Sequence, residues 1–185
     1  MSGGQAREGA SGKAARVRLF VIDVDGVLTD GGIVFDGNGV ETKRFHVRDG
    51  HGIKMMQRAG IEVGIITGRT SAVVRIRAEE LGISRVLQGA HDKVAAWREM
   101  LADTGLSPEE SAYVGDDIVD VPLLRRVGFA ATVADAEEYV LNEADFVSSR
   151  RGGEGAVREI IEFVLKSRGV WDRITEKYFG SGGTR

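Results

Sequence analysis

RLFVIDVDGVLTD, residues 18–30, opens as an apolar strand and closes on three carboxylates. Residues 17–24 form a near-continuous apolar run rich in β-branched side chains, the pattern of a strand covered on both faces. Asp23 and Asp25 stand two residues apart and so share one face of an extended chain. Two like charges at the end of a buried strand call for something positive beside them.

Outward from this stretch, strands and helices alternate. GIVFDGNGVETKRFHV predicts a hairpin, with arms at 33–35 and 40–47 around Asp36-Gly37-Asn38-Gly39. A helix capped by Asp49 follows, running through Ile53, Met55 and Met56 to a stop at Gly60. IEVGII is a second buried strand, ending at Thr67-Gly68-Arg69. Helices are expected at 71–81, with Gly82 as the stop, and at 92–102, with Trp97 on the apolar side. SPEE has the Ser-cap and Pro-first signature of a helical turn. SAYVGDD is a strand followed by acids. A helix at 119–127, the strand GFAATV, a helix at 136–142, the strand DFVSS and an amphipathic helix at 155–168 complete the pattern. The last carries Val157, Ile160, Ile161 and Val164 on one stripe.

This alternation predicts an α/β, Rossmann-like parallel sheet with helices on both faces and a small β-hairpin insertion. Residues 16–169 read as one domain, 1–15 as a disordered Gly/Ser/Ala-rich arm and 170–185 as a C-terminal tail. With 185 residues, 42% of them hydrophobic, the chain is long enough to bury a proper core. Its net charge of −3 advertises neither nucleic acid nor an anionic membrane. The absence of cysteine excludes disulfides and thiolate chemistry and agrees with a cytoplasmic protein. No signal peptide or membrane span is expected.

In open parallel sheets, ligands sit beyond the carboxyl ends of the strands. Asp23/Asp25, Thr67 and Asp116/Asp117 each directly follow an apolar strand. Singly they are unremarkable: Asp116/Asp117 could balance a helix N-terminus, and Lys93 could be a solvated surface residue. Jointly, carboxylates converging from two strands need a cation, and an all-oxygen set favours Mg2+. A carboxylate attacking a phosphate dianion also needs positive charge and hydrogen-bond donors. Thr67, with Gly68 beside it, and Lys93 at a helix start supply them. Of the first acid pair, one would be the nucleophile and the other a proton donor.

The order DVDGVLTD, ITGR, a lone Lys near a helix start and GDDIVD resembles the four motifs of the haloacid dehalogenase-like phosphatases, over roughly residues 18–168. The resemblance implies that Asp23 is the nucleophile, forming an aspartyl-phosphate. It implies that Asp25 is the general acid/base and lends its carbonyl to Mg2+. Thr67 and Lys93 would bind the phosphoryl group, Asp116 would ligate the metal, and Asp117 and Asp120 would support the metal or Lys93 from behind.

RDGHGIK, LGI…QGAHDK, VGDDIVDVPLL and RRGGEGAVREI look similar to the capless branch that includes the 3-deoxy-D-manno-octulosonate 8-phosphate phosphatases. That resemblance implies a Mg2+-dependent hydrolase of an eight-carbon sugar-acid phosphate, in lipopolysaccharide precursor synthesis. Relatives with the same layout act on nine-carbon keto-sugar acid phosphates; Arg69 and Arg77 look like the eight-carbon pattern. On one helix, two turns apart, Arg69 and Arg77 could grip one carboxylate. Gly68, Gly153 and Gly155 would offer backbone N–H groups to an anion.

No insertion is long enough for a lid domain. The hairpin is therefore expected to form an intersubunit ring, with a neighbour covering each site. The resemblance implies a homotetramer, and Trp171, Tyr178 and Phe179 are candidate contacts in it. His46 and His51 could line the mouth of the site, whereas His91 reads as structural. Two other classes compete. A receiver-like signalling domain would carry adjacent acids after its first strand and a phosphoacceptor Asp where Thr67 stands. A silent sugar-phosphate binder would not need the quartet Asp23, Asp25, Lys93 and Asp116.

Overall fold

The computed structural model describes residues 3–180. Its main sheet has seven strands: β1 (Gln5–Ala6), β2 (Leu19–Ile22), β5 (Glu62–Ile66), β6 (Arg85–Leu87), β7 (Ser111–Val114), β8 (Phe129–Thr132) and β9 (Phe146–Val147). They lie in the order β1-β9-β8-β7-β2-β5-β6, all parallel except β1. β2 is thus central, flanked by β5 and β7, and buried along its whole length. Alternation splits it between two cores. Phe20 and Ile22 face a layer built from α2 (Val47–Arg58), α3 (Ala72–Leu81) and α7 (Ala156–Ser167). Leu19 and Val21 face α4 (Lys93–Thr104) and α5 (Val121–Leu124), where Trp97, Met100 and Leu123 pack.

Local signals placed most boundaries. Ser71 caps α3 by accepting from the Val74 N–H at 3.4 Å, and Gly82 ends it in the left-handed region at φ 64°. Asp92 caps α4 by accepting from the Ala95 N–H at 2.9 Å. The helix expected at 119–127 is instead a 3-10 turn, Ile118–Asp120, followed by the single turn of α5. The helix expected at 136–142 shortens to α6 (Glu138–Leu141). The helix expected to be capped by Asp49 begins earlier, at Val47, with His46 Nδ1 accepting from the Arg48 N–H at 3.2 Å. The hairpin arms contract accordingly to β3 (Val34–Phe35) and β4 (Glu41–Thr42), a separate two-stranded sheet.

Asp49 is freed for another task. It lies buried in α2, and its Oδ1 accepts from the Arg158 N–H at 2.7 Å. It thereby caps the first turn of α7, whose own Gly155 cannot.

The arm expected to be disordered is not, where it is described. β1 pairs with β9, and α1 (Ala10–Ala14) buries Ala10 and Ala14 against the sheet layer that includes α7. Small side chains that read as disorder in composition here allow close approach of a helix. The tail expected from 170 is also a packed element, α8 (Trp171–Phe179), with Ile174 and Thr175 buried. Residues 1–2 and 181–185, covered by the expectations for arm and tail, lie outside the described residues.

Candidate active site

Because β7, β2 and β5 are neighbours and parallel, their carboxyl ends bring Asp116, Asp23 and Thr67 to one rim. There they line an open cleft of about 340 Å3 with Asp25, Gly68, Arg69, Lys93, Asp117 and His91. His91, read as structural, therefore belongs to the cleft wall.

Lys93 is the hub. Though it opens a helix, it is buried, and its ammonium donates to Asp23 Oδ2 and Asp120 Oδ1, both at 2.6 Å, and to the Tyr113 hydroxyl at 3.2 Å. Burial alone would lower the Lys93 pKa; Asp23 and Asp120 reverse this and raise it. Burial pushes the Asp23 carboxyl up to about 6 against the pull of Lys93. Asp116 is pushed up to about 7, first by burial and then by the charges of Asp120 and Asp23. One oxygen each of Asp23, Asp116 and Asp120 lies within 4.8 Å of the other two, and the crowded pair Asp23 and Asp116 suits an oxygen-ligated divalent cation.

Asp120 is not free to be a ligand of that cation. Its Oδ1 accepts from Lys93 and from Tyr113 Oη at 2.6 Å, and its Oδ2 from the N–H groups of Asp116 and Asp117 at 3.0 and 3.1 Å. Four donors fill a carboxylate. Asp120 therefore shapes the turn that presents Asp116 and holds Lys93. Asp117 accepts from the Ile118 N–H and the Tyr139 hydroxyl and is exposed at the rim. Gly26, at φ 83°, is needed here, because a Cβ would collide with the Asp116 carboxylate.

Asp25 meets two cations. Lys43 of the hairpin segment pairs with its Oδ1, and Arg69 Nε lies 3.8 Å from its Oδ2. Lys43 escaped sequence reading because ETKRF looks like a solvated strand; nothing local signals that it folds back over residue 25.

Three expected binding residues lie elsewhere. Arg77 is absent from the cleft. Its guanidinium pairs with Glu80 at 2.7 Å and stacks over Phe45 at 5.7 Å from the ring centroid. Arg69 precedes Ser71, the cap of α3, so the two arginines do not share a helix as the spacing suggested. Gly153 and Gly155 do not line the cleft either. The Gly153 N–H donates to Val27 O at 3.0 Å, and Gly155 starts α7 at φ 96°. At Gly152 a Cβ would collide with Gly26 O, so this loop is glycine-rich in order to press against the back of the Asp25 loop. The Gly153 N–H is thus spent within the chain, whereas Gly68 lines the cleft. His46 and His51 are also outside the cleft: His46 caps α2, and His51 bonds Tyr178 Oη at 2.8 Å and Arg158 at 3.1 Å.

The comparisons with known proteins agree with this geometry. A family model described as haloacid dehalogenase-like hydrolase matches residues 74–161. The chain is 44% identical over 160 residues to 3-deoxy-D-manno-octulosonate 8-phosphate phosphatase KdsC of Escherichia coli strain K12, covering 86% of this chain and 85% of that one. It belongs to the 3-deoxy-D-manno-octulosonate 8-phosphate phosphatase family. A structure of the Moraxella catarrhalis phosphatase in complex with magnesium ion, phosphate ion and KDO superposes with a TM-score of 0.90 at 39% identity, covering 93% of this chain and 99% of that one. A cobalt-bound Haemophilus influenzae phosphatase gives 0.83 at 42% identity, covering 86% and 93%. Like these phosphatases, the chain is an α/β hydrolase, and its β3–β4 hairpin forms a small sheet of its own beside the main one.

Proposed function

We propose that this chain is a Mg2+-dependent phosphatase that hydrolyses 3-deoxy-D-manno-octulosonate 8-phosphate to the free sugar acid and phosphate. The observation that carries the reading is the placement of Asp23 between Lys93 and Asp116 at adjacent strand ends, with Asp25 two residues on. The likeness to phosphatases of that substrate, one of them seen with magnesium, phosphate and KDO, supports it.

Asp23 and Asp116, with the Asp25 carbonyl, would hold the magnesium ion. When bound, the ion supplies positive charge that offsets the repulsion between carboxylate and phosphate. An Asp23 oxygen attacks phosphorus, and the bond from phosphorus to the sugar oxygen breaks with its electron pair going to that oxygen. Asp25 gives its proton to the departing oxygen. Lys93 and the Thr67 hydroxyl bind the phosphoryl oxygens as charge builds on them. Water then attacks the aspartyl-phosphate, yields a proton to Asp25, and releases phosphate with Asp23 restored. In this reading Arg69, on the cleft wall, would meet the substrate carboxylate.

The working form in this reading is a homotetramer in the cytoplasm. Ile33, Val34, Phe35 and Val40 of the hairpin are 55–56% exposed, an apolar edge that suits burial against another copy. Trp171 and Tyr178, expected at that interface, engage their own chain, through the Lys166 ammonium and through His51 and Arg58; Phe179 remains exposed. Among the described residues, no helix is long and apolar enough to cross a membrane.

Phosphate release from eight-carbon, nine-carbon and neutral sugar phosphates, with and without Mg2+, tests the reading. The eight-carbon acid should be the best substrate by kcat/KM, and metal removal should abolish turnover. A preference for the nine-carbon acid would move the assignment to that branch, and no turnover of any phosphate would leave a receiver-like or silent binding domain.

A further inference from the structure

Asp25, Lys43, Glu41 and Arg69 close a ring of alternating charge. Lys43 pairs with Asp25 Oδ1 and lies 3.4 Å from Glu41 Oε1; Arg69 Nη2 donates to the same Glu41 oxygen at 3.1 Å; Arg69 Nε lies 3.8 Å from Asp25 Oδ2. Two members come from the rim of the main sheet, and two from the hairpin. The Lys43 side chain is 1% exposed, so its charge is withdrawn from solvent for this contact. A long cationic side chain on a two-stranded hairpin would ordinarily extend into water, because immobilising it costs rotamer entropy and desolvation. Here both costs are met only because two carboxylates receive it.

We propose that Lys43 is a positioning residue for the proton-transferring carboxylate of Asp25, and that Glu41 performs the same service for Arg69. This rests on the reading of Asp25 as the acid/base in the proposed reaction. Asp25 sits on a loop after β2, and among its side-chain contacts the Lys43 ammonium is the nearest. Without Lys43 its carboxylate would be free to swing toward Arg69, away from the departing sugar oxygen. After that oxygen leaves with the proton, Asp25 is a carboxylate, and Lys43 is its counter-ion until water returns a proton. The hairpin thus belongs to the catalytic centre of its own chain, in addition to any role between copies.

The test separates orientation of the acid from mere anchoring of the hairpin. An alkyl sugar oxygen needs a proton to depart, whereas p-nitrophenolate does not. Lys43→Met should lower kcat on the sugar-acid phosphate about tenfold or more beyond its effect on p-nitrophenyl phosphate, with KM little changed, and Lys43→Arg should recover most of the loss. Glu41→Gln, which keeps size and spares the Asp25 pair, should instead raise KM for the acidic substrate. If Lys43→Met fails to fold, Lys43→Gln, which keeps a donor to Asp25 without the charge, carries the same leaving-group comparison. Asp25→Asn is the control. If Asp25→Asn shows the leaving-group dependence and Lys43→Met does not, the positioning role is overturned. If Asp25→Asn leaves turnover of both substrates near the parental rate, the acid/base reading beneath it falls first.

Discussion

The Lys93 ammonium stands 2.6 Å from Asp23 Oδ2, and the second oxygen of Asp23 accepts from the Val24 N–H at 2.7 Å. The carboxylate that would attack phosphorus is therefore held by both oxygens before substrate arrives. Asp23→Asn keeps the size of the side chain but only one of its two acceptors, and removes the nucleophile; Lys93 retains Asp120. Turnover should fall by about 1,000-fold or more with the melting temperature largely kept. Trapping of radiolabelled phosphoenzyme checks it: label on the Asn variant would refute the covalent route through this residue.

Lys93→Met should cost stability as well as activity. It leaves Asp23 and Asp120, both buried, without their shared cation. Removing one partner of a buried ion pair costs roughly 3–5 kcal/mol. Urea unfolding without metal measures it, and a change under about 1 kcal/mol would mean the cluster relaxes or takes up protons instead.

Asp116 at about 7 and Asp23 at about 6 both lie above the ordinary value of 3.8. The folded state binds these protons more tightly than the unfolded one, so their contribution is complete below about pH 4 and is lost as pH rises through 6 to 7. Carboxylates lowered elsewhere, such as Asp30 through its bond from the Gly32 N–H, act with the opposite sign at more acid pH. Comparison with Asp116→Asn isolates the cleft: the variant should lose less stability than the parent between pH 5 and 8. Added Mg2+, which needs ionised ligands, should raise the melting temperature more at pH 8 than at pH 5. An equal increment at both would contradict the raised values.

Arg69 and Arg77 should part company. Arg69→Ala is expected to raise KM for an acidic sugar phosphate about tenfold while hardly affecting a neutral one. Arg77→Ala, which loses only Glu80 and the face of Phe45, should leave both KM values within about twofold. Steady-state kinetics on the two substrates decide it.

Phe35→Glu places a charge on the apolar hairpin edge, at a side chain 56% exposed. If copies bury that edge, light scattering should show a smaller species. An unchanged mass would remove the hairpin from the interface.

How much of this was legible depended on distance along the chain. The strand-end acids, Thr67 and the helix starts near residues 71 and 92 were readable because strand and helix periodicity is local. Lys93 was legible only through its order among the motifs, since a lysine at a helix start says nothing of burial. Lys43 and Glu41 were missed because their partners lie 18 and 28 residues away in a loop and a rim position. Arg77 was overvalued because helical spacing was applied across Ser71, where the helix had not yet begun. The glycines at 153 and 155 lie outside the cleft because their loop packs against the Asp25 loop: the Gly153 N–H goes to Val27 O, and Asp49 takes the Arg158 N–H at the start of the helix that follows.

The short strand β1 has a consequence for handling the protein. It runs antiparallel along β9, with the Gly4 N–H donating to Glu159 at 3.0 Å and the Arg7 N–H to Asp145 O at 2.8 Å. Trimming the chain to residue 16, as its glycine-rich start invites, would bare a row of backbone donors and acceptors beside Phe146. Such an open border recruits other chains, so a shortened version would be prone to aggregate even with every cleft residue intact.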